Sequence, residues 1–512
     1  MDLTVALGQH LVTGFQGPEM TEELMEHVRR YKIGNIVLFE YNVVDKAQLK
    51  RLCGEITALV ERETGYPPFI TIDQEGGAVS RLKEDATIFP SAMAVAATGN
   101  PENARVAGRI TGEELRAMGV NFNLAPVMDV NNNPNNPVIG VRSYGDDPAS
   151  VARYGIQMTQ GLREGGVLAS LKHFPGHGDT AVDSHLGLPR VEKSLEELLA
   201  CELLPFQAAI DAGVPAVMTT HILFPALEPD GVPATLSRRI MTDLLKTRMG
   251  FQGLVVSDCM MMGAIERFFG TVQGGVAAIR AGVDLVFVSH SPALASQLIE
   301  ALRSALDAGD VDAAEFAAST EKLLRFKAGL RRDAPSLDTV GSAEHRVCSQ
   351  TMTRGAITAV QQAPFALGER PLFLGCYRFR PTMASSPEDT SFSFPQEMRA
   401  RLGGDAIVTS QNPEGDEIAR VLSQAAGHTS LVVGAYNGRL RPGQLALVSA
   451  AARLDLPVCA VALRNPYDLA ELPAQVYALA AYDYDARTFA ALADVLAGNL
   501  TPTGVLPVRL RG

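Results

Sequence analysis

A (β/α)8-like TIM barrel followed by a smaller open α/β sandwich is the architecture that this chain predicts, and three observations carry the expectation. Short apolar runs rich in β-branched residues alternate with longer helical patterns through roughly the first 300 residues, the signature of repeated β-α units around a parallel sheet. A polar, turn-rich stretch, RRDAPSLDTVGSAEH from Arg331, then breaks the pattern, and a second β-α series follows it. The third observation is length: 512 residues exceed what one ordinary core organises, so two domains are expected.

The first series of strand-like runs is NIVLF from Asn35, FITID from Phe69, NFNLAPVMDV from Asn121, VLASLKHF from Val167, AVMTTH from Ala216, GLVVSD from Gly253 and DLVFVS from Asp284. Between them lie helical stretches such as SLEELLACELLPFQAAIDAG from Ser194, with a Ser N-cap, a Glu three residues later and a closing Gly. The alternation suits an eightfold barrel, with a doubly wound sheet as the alternative. The expected division is a catalytic barrel over residues 1–330, a linker over 331–350 and the sandwich over 351–512. The sandwich strands are PLFLGCY from Pro371, AIVTS from Ala406, SLVVGAY from Ser430, VCAVAL from Val458 and VYALAAY from Val476. The tract MASSPEDTSFSFP from Met383 reads as a surface loop.

Hydrophobic residues make up 46% of the chain and charged residues 20%, an ordinary globular balance that argues against a disordered chain and against a membrane protein. Lys and Arg number 45 against 57 Asp and Glu, a net charge of −12 with no compensating basic stretch, so neither nucleic acid nor an anionic membrane is an expected partner. Cys53, Cys201, Cys259, Cys348, Cys376 and Cys459 are scattered without a CxxC spacing, which reads as free thiols in a reducing compartment. The opening MDLTVALGQHLVTGF lacks a basic start and an unbroken apolar core, and a cytoplasmic location is the expectation.

Ligands of barrels and doubly wound sheets alike sit at the C-terminal ends of parallel strands, so polar residues that end an apolar run are the ones to interrogate. Asp73, Lys172, His173, His221 and Asp258 are such residues. The densest segment, KHFPGHGDTAVDSHLGLP from Lys172 to Pro189, holds three histidines and two aspartates among Pro175, Gly176 and Gly178, so it must be a loop after its strand. Its residues admit a metal site built on His173, His177, Asp179 and His185, or an acid/base site in which Asp183 sets a carboxylate against His185. A polar loop whose histidines only cap the barrel is the third reading.

The segment KHFPGHGDTAVDSH resembles the signature of the bacterial β-N-acetylglucosaminidase (β-hexosaminidase) branch of glycoside hydrolase family 3. IDQEGGAVSRL from Ile72, GVNFNLAPVMDV from Gly119, RSYGDDP from Arg142 and SDCMMMGAI from Ser257 agree in order and spacing, and ALRNPYDL from Ala462 and PTGVLPV from Pro502 are similar to the family's C-terminal sandwich. The resemblance implies a barrel followed by a sandwich, and retaining exo-hydrolysis of terminal β-linked N-acetylglucosamine with no cofactor and no metal. It places the nucleophile on Asp258, the acid/base on His185 with Asp183 as its partner, and sugar binding on Asp73, Arg81, Arg142, Lys172 and His173. An imidazole with an unperturbed pKa near ~6.5, oriented by a carboxylate, suits a group that gives a proton and later takes one back. Ala78 departs from the branch, which usually has Arg there; this puts the support of Asp73, or contacts beyond the first sugar, in question. His177 and Asp179 read as loop-shaping residues and Met260 to Met262 as core or pocket wall. Cys259 lacks the spacing of a catalytic thiol.

The other readings are a metal-dependent hydrolase, an inactive sugar-binding protein, and a phosphorylase on the same site, where a histidine repels an incoming phosphate less than a carboxylate would. The implied partner is a GlcNAc-containing oligosaccharide or glycopeptide, from cell-wall fragments or chitooligosaccharides, with phosphate as an alternative co-substrate. A monomer or a homodimer is expected. Since the acid/base is expected in the barrel, the second domain is left to stability, dimerisation or a partner.

Overall fold

Strand-length apolar runs separated by amphipathic helices close on themselves in the computed structural model, which describes residues 1–180, 187–380, 382, 385 and 389–510. Strands β1 (Leu11–Thr13), β2 (Asn35–Leu38), β3 (Phe69–Ile72), β4 (Phe122–Asn123), β5 (Leu168–Phe174), β6 (Ala216–Thr219), β7 (Leu254–Cys259) and β8 (Leu285–Val288) form a closed parallel barrel. The closing pair sets Val12 of β1 against Phe287 of β8, which excludes the doubly wound alternative. Val12, Val37, Phe69, Phe122, Val256 and Phe287 fill one buried cluster, as expected where alternate residues of every strand point inward.

The long helical pattern from Ser194 divides in two. Ser194 and Glu197 form a capping box on the helix Leu195–Ala200, and a second helix begins at Leu203. A continuous helix would need an amide at Pro205 to reach the carbonyl four residues back, and proline has none. The break turns Glu202, 1% exposed, inward onto Lys193 and Asn132.

The second domain contains β9 (Thr358–Gln361), β10 (Pro371–Arg378), β11 (Asp389–Ser393), β12 (Asp405–Thr409), β13 (Ser430–Ala435), β14 (Val458–Ala462) and β15 (Tyr477–Ala480). β12, β10, β13, β14 and β15 lie parallel, with β9 antiparallel on β15 and β11 antiparallel on the end of β10. Part of the tract read as a surface loop is therefore an edge strand: in β11 Ser393 sits opposite Tyr377. The two domains share a buried apolar seam in which Met93, Ala97 and Val141 of the barrel join Leu372, Tyr467 and Val508 of the sandwich. Among the described residues no helix is long and apolar enough to cross a membrane, and the six cysteines are free thiols.

Candidate active site

A cavity of about 760 Å³ opens at the C-terminal ends of the barrel strands. Asp73 follows β3, Lys172 and His173 end β5, and Asp258 ends β7. Arg81 comes from the loop after β3, and Arg142 from the short 3-10 turn Gly140–Arg142. All six line this cavity. Asp183 and His185, the expected acid/base pair, lie outside the described residues.

The wall of the cavity is organised around a buried cation. Lys172 Nζ donates to Asp73 Oδ1 at 2.7 Å and lies 2.6 Å from Glu75 Oε1. Arg142 clasps the same Glu75 with two hydrogen bonds of 2.8 Å, a bidentate geometry that fixes both planes. Burial opposes the Glu75 charge, but Arg142 and Lys172 hold its carboxyl well below the usual carboxylate range. Burial likewise works against the Lys172 cation, and Asp73 and Glu75 more than offset it, raising its pKa. Arg81 Nη2 stands 4.0 Å from Asp73 Oδ2.

His173 and His177 are ordered by a second buried carboxylate. Asp129 accepts from the amides of His173 and His177 through Oδ1, at 3.2 and 2.7 Å, and its Oδ2 lies 2.7 Å from His173 Nδ1. Burial opposes the Asp129 charge, yet His173 and these amides keep its pKa below the ordinary value. His177, bonded through Nδ1 to Thr180 Oγ1, is pushed down to about 4 by burial and by His173, and is neutral at pH 7. Asn136 Nδ2 donates to the carbonyls of His177 and Gly178, so this stem of the loop is shaped by hydrogen bonds, as expected for His177. Among the described residues no group of three or more His, Cys, Asp or Glu could hold a metal ion.

Asp258 lies across the cavity on β7, where its Oδ1 accepts from the Cys259 amide at 2.7 Å. Burial raises the pKa of the Cys259 thiol, which keeps it protonated. Met260 is fully buried core, while Met261 and Met262 are cavity wall. His221, another strand-end candidate, links Thr235 to the Cys259 carbonyl and so ties the ends of β6 and β7 together.

Glu75 and Asp129, the two carboxylates that organise the site, were not singled out by the sequence reading. Asp129 had a legible signal, since it follows the apolar run APVM as Asp258 closes GLVVSD. Glu75 sits two residues beyond the strand-end Asp73 and had none. Arg380 and Ser385 of the second domain also line the cavity, so the sandwich reaches the site as well as packing on the barrel.

Residues 3–326 match the family model described as glycosyl hydrolase family 3 N terminal domain. The chain is 38% identical to beta-hexosaminidase A of Pseudoalteromonas piscicida over 366 residues, which are 66% of this chain and 61% of that protein. It is 35% identical to the beta-hexosaminidase of Thiobacillus denitrificans over 57% of this chain and 81% of that one. Among solved structures, the glycoside hydrolase family 3 beta-N-acetylglucosaminidase from Paenibacillus sp. str. FPU-7 superposes with a TM-score of 0.93 at 35% identity, covering 100% of this chain and 99% of that one. With the barrel, the sandwich and the strand-end cluster in place, the chain belongs to glycosyl hydrolase family 3.

Proposed function

We propose that this protein is a retaining exo-acting β-N-acetylglucosaminidase. The observation that carries the reading is the placement of Asp258 in one cavity with the cluster of Asp73, Lys172, Glu75 and Arg142. Such a cluster suits a polyhydroxyl ring, because buried hydrogen-bonding groups left unpaired penalise the wrong ligand. Asp258 attacks the anomeric carbon and forms a covalent glycosyl-enzyme, and the bond to the leaving oxygen breaks. His185, oriented by Asp183, gives the leaving oxygen its proton and then takes one from the water that releases the sugar with retained configuration. Relatives carrying the name beta-hexosaminidase support N-acetylglucosamine as the terminal sugar, and cell-wall fragments or chitooligosaccharides supply that end group.

The test compares aryl β-N-acetylglucosaminide with aryl β-glucoside, with and without phosphate, and reads the first-formed anomer. Hydrolysis of the first substrate to the β-anomer, independent of phosphate, is the expected result. A glycosyl phosphate product would make the enzyme a phosphorylase, and an α-anomer would remove the covalent intermediate. Asp258→Asn should bind sugar and lose nearly all turnover, and a folded variant with near-normal activity would take the nucleophile role away from Asp258.

A further inference from the structure

In an open parallel sheet the crevice beyond the C-terminal strand ends is where a ligand ordinarily sits. In the sandwich that rim is occupied by the barrel. Asn437 follows β13, Asn465 follows β14, and Asp483 follows β15. Asn437 and Tyr482 hold left-handed backbone, at φ 56° and 67°, a conformation that non-glycine residues keep only where their surroundings impose it. What these turns grip are the two barrel turns that carry Arg142 and Glu75.

Asn465 Oδ1 accepts from the Val141 amide at 3.1 Å, inside the turn that ends in Arg142, while Asn465 Nδ2 donates to Asn437 Oδ1 at 3.1 Å. Gly140 lies so close beneath Asn465 that a Cβ there would fall 2.3 Å from its Oδ1. Asp483 Oδ2 accepts from the Ser91 amide at 2.8 Å. Its Oδ1 covers Gly77, two residues past Glu75, where a Cβ would come within 2.5 Å. Asp483 is 4% exposed and Asn465 is partly buried. The Glu75 and Arg142 side chains then join above these grips through their paired 2.8 Å hydrogen bonds.

We propose that Asn465 and Asp483 are positioning residues for the Glu75–Arg142 pair, setting sugar affinity through two barrel turns while neither residue itself lines the cavity. The proposal rests on the reading of that pair as part of the sugar-holding cluster. A pair that holds the ring alike in ground and transition states affects KM rather than kcat when it is loosened.

The experiment measures hydrolysis of 4-nitrophenyl β-N-acetylglucosaminide by the full chain carrying Asn465→Ala, Asp483→Ala or Asp483→Asn. As a control, Val461→Ala thins the sandwich core while leaving the hydrogen-bonding groups of both grips in place. The alanine variants should raise KM about tenfold with kcat changed less than about twofold, since energetic couplings of this kind lie in that range. Asp483→Asn, which keeps an oxygen for the Ser91 amide, should recover most of the affinity. Val461→Ala should lower the melting temperature and leave KM unchanged. A wild-type KM in all four variants, or a KM rise in Val461→Ala that tracks its lost stability, would overturn the proposal. If the wild-type protein fails to turn over this substrate, the functional reading falls and the grips are judged separately by hydrogen exchange. Faster exchange at Val141 and at Glu75 to Val79 in Asn465→Ala and Asp483→Ala then supports the coupling, and unchanged exchange refutes it.

Discussion

At the C-terminal rim of the barrel Lys172 is 2% exposed, and at the N-terminal rim Lys327 is 1% exposed. Lys172 meets two carboxylates, Asp73 and Glu75, and burial is outweighed, so its ammonium keeps its charge. Lys327 meets no carboxylate among the described residues: its Nζ donates to Gln9 Oε1 at 2.6 Å and to the Gly34 carbonyl at 3.0 Å, and lies 5.2 Å from the centre of the Phe69 ring. Burial drives its pKa well below the usual lysine value. One buried amine therefore keeps its charge among the carboxylates of the cavity wall, and the other sits among uncharged groups between strand starts, where burial disfavours its charge. Burial by itself does not mark a functional residue in this barrel.

Removing Lys172 should produce the larger effect. Lys172→Met leaves Asp73 and Glu75 facing each other without the cation that pairs them, and loss of one partner of a buried pair costs about 3–5 kcal/mol. If the same cluster holds the substrate, kcat/KM should fall by about 10³. Activity within tenfold of wild type would place Lys172 with Lys327 among the structural lysines and erase the contrast. Melting curves and steady-state kinetics on the same preparation read both effects.

An intermediate effect is expected in mild acid, and it probes both rims at once. His10 at the N-terminal rim and His177 at the C-terminal rim are both pushed by burial to about 4. An unfolded histidine titrates near ~6.5, so as the pH falls below that value the unfolded chain binds protons that the folded chain refuses. Stability should therefore fall by about 1.4 kcal/mol per pH unit for each histidine between those limits, and the slope should end near pH 4. Glu75, whose pKa is depressed, contributes stability that is present above the ordinary carboxylate pKa and is lost only further into acid. NMR signals assigned to His10 and His177 that titrate near pH ~6.5 in the folded protein would show that neither ring is held neutral.

Much of this organisation was legible because strand-length apolar runs leave a local record. β1 was not: its three residues, Leu11–Thr13, follow directly on the helix Leu3–Gln9 and are too short a run to stand out. The edge strands β9 and β11, TAVQ and DTSFS, were missed because antiparallel edges are short and partly polar, and pairing rather than composition defines them. In the site, the residues at strand ends were legible and the carboxylates that order them were not, since Glu75 acquires its role only when Arg142 arrives from 67 residues away. The grips from the sandwich are less legible still. Asn465 and Asp483 contact turns more than 300 residues earlier, and no local pattern encodes such a meeting.

The smallest and most discriminating effect is expected at Lys327. Lys327→Met removes an amine whose charge burial disfavours, which favours the variant wherever the unfolded lysine is charged. It also leaves the Gln9 and Gly34 oxygens without their donor, at roughly 1–3 kcal/mol for each buried group left unpaired. The two effects oppose each other, so the net change at neutral pH should be small. Their pH dependences differ. The lost hydrogen bonds cost the same at every pH, whereas the proton contribution shrinks as the pH approaches the unfolded lysine value of about 10.4. In the wild-type protein the unfolded chain binds the extra proton, so its stability rises with pH through this window. The advantage of Lys327→Met should accordingly decline toward alkaline pH, with about 1.4 kcal/mol per pH unit as the upper bound for one proton. Thermal midpoints of both proteins between pH 7 and pH 10 give the difference directly. A difference that stays constant across that range would mean that Lys327 is charged in the folded barrel, and the two rims would then treat their buried lysines alike.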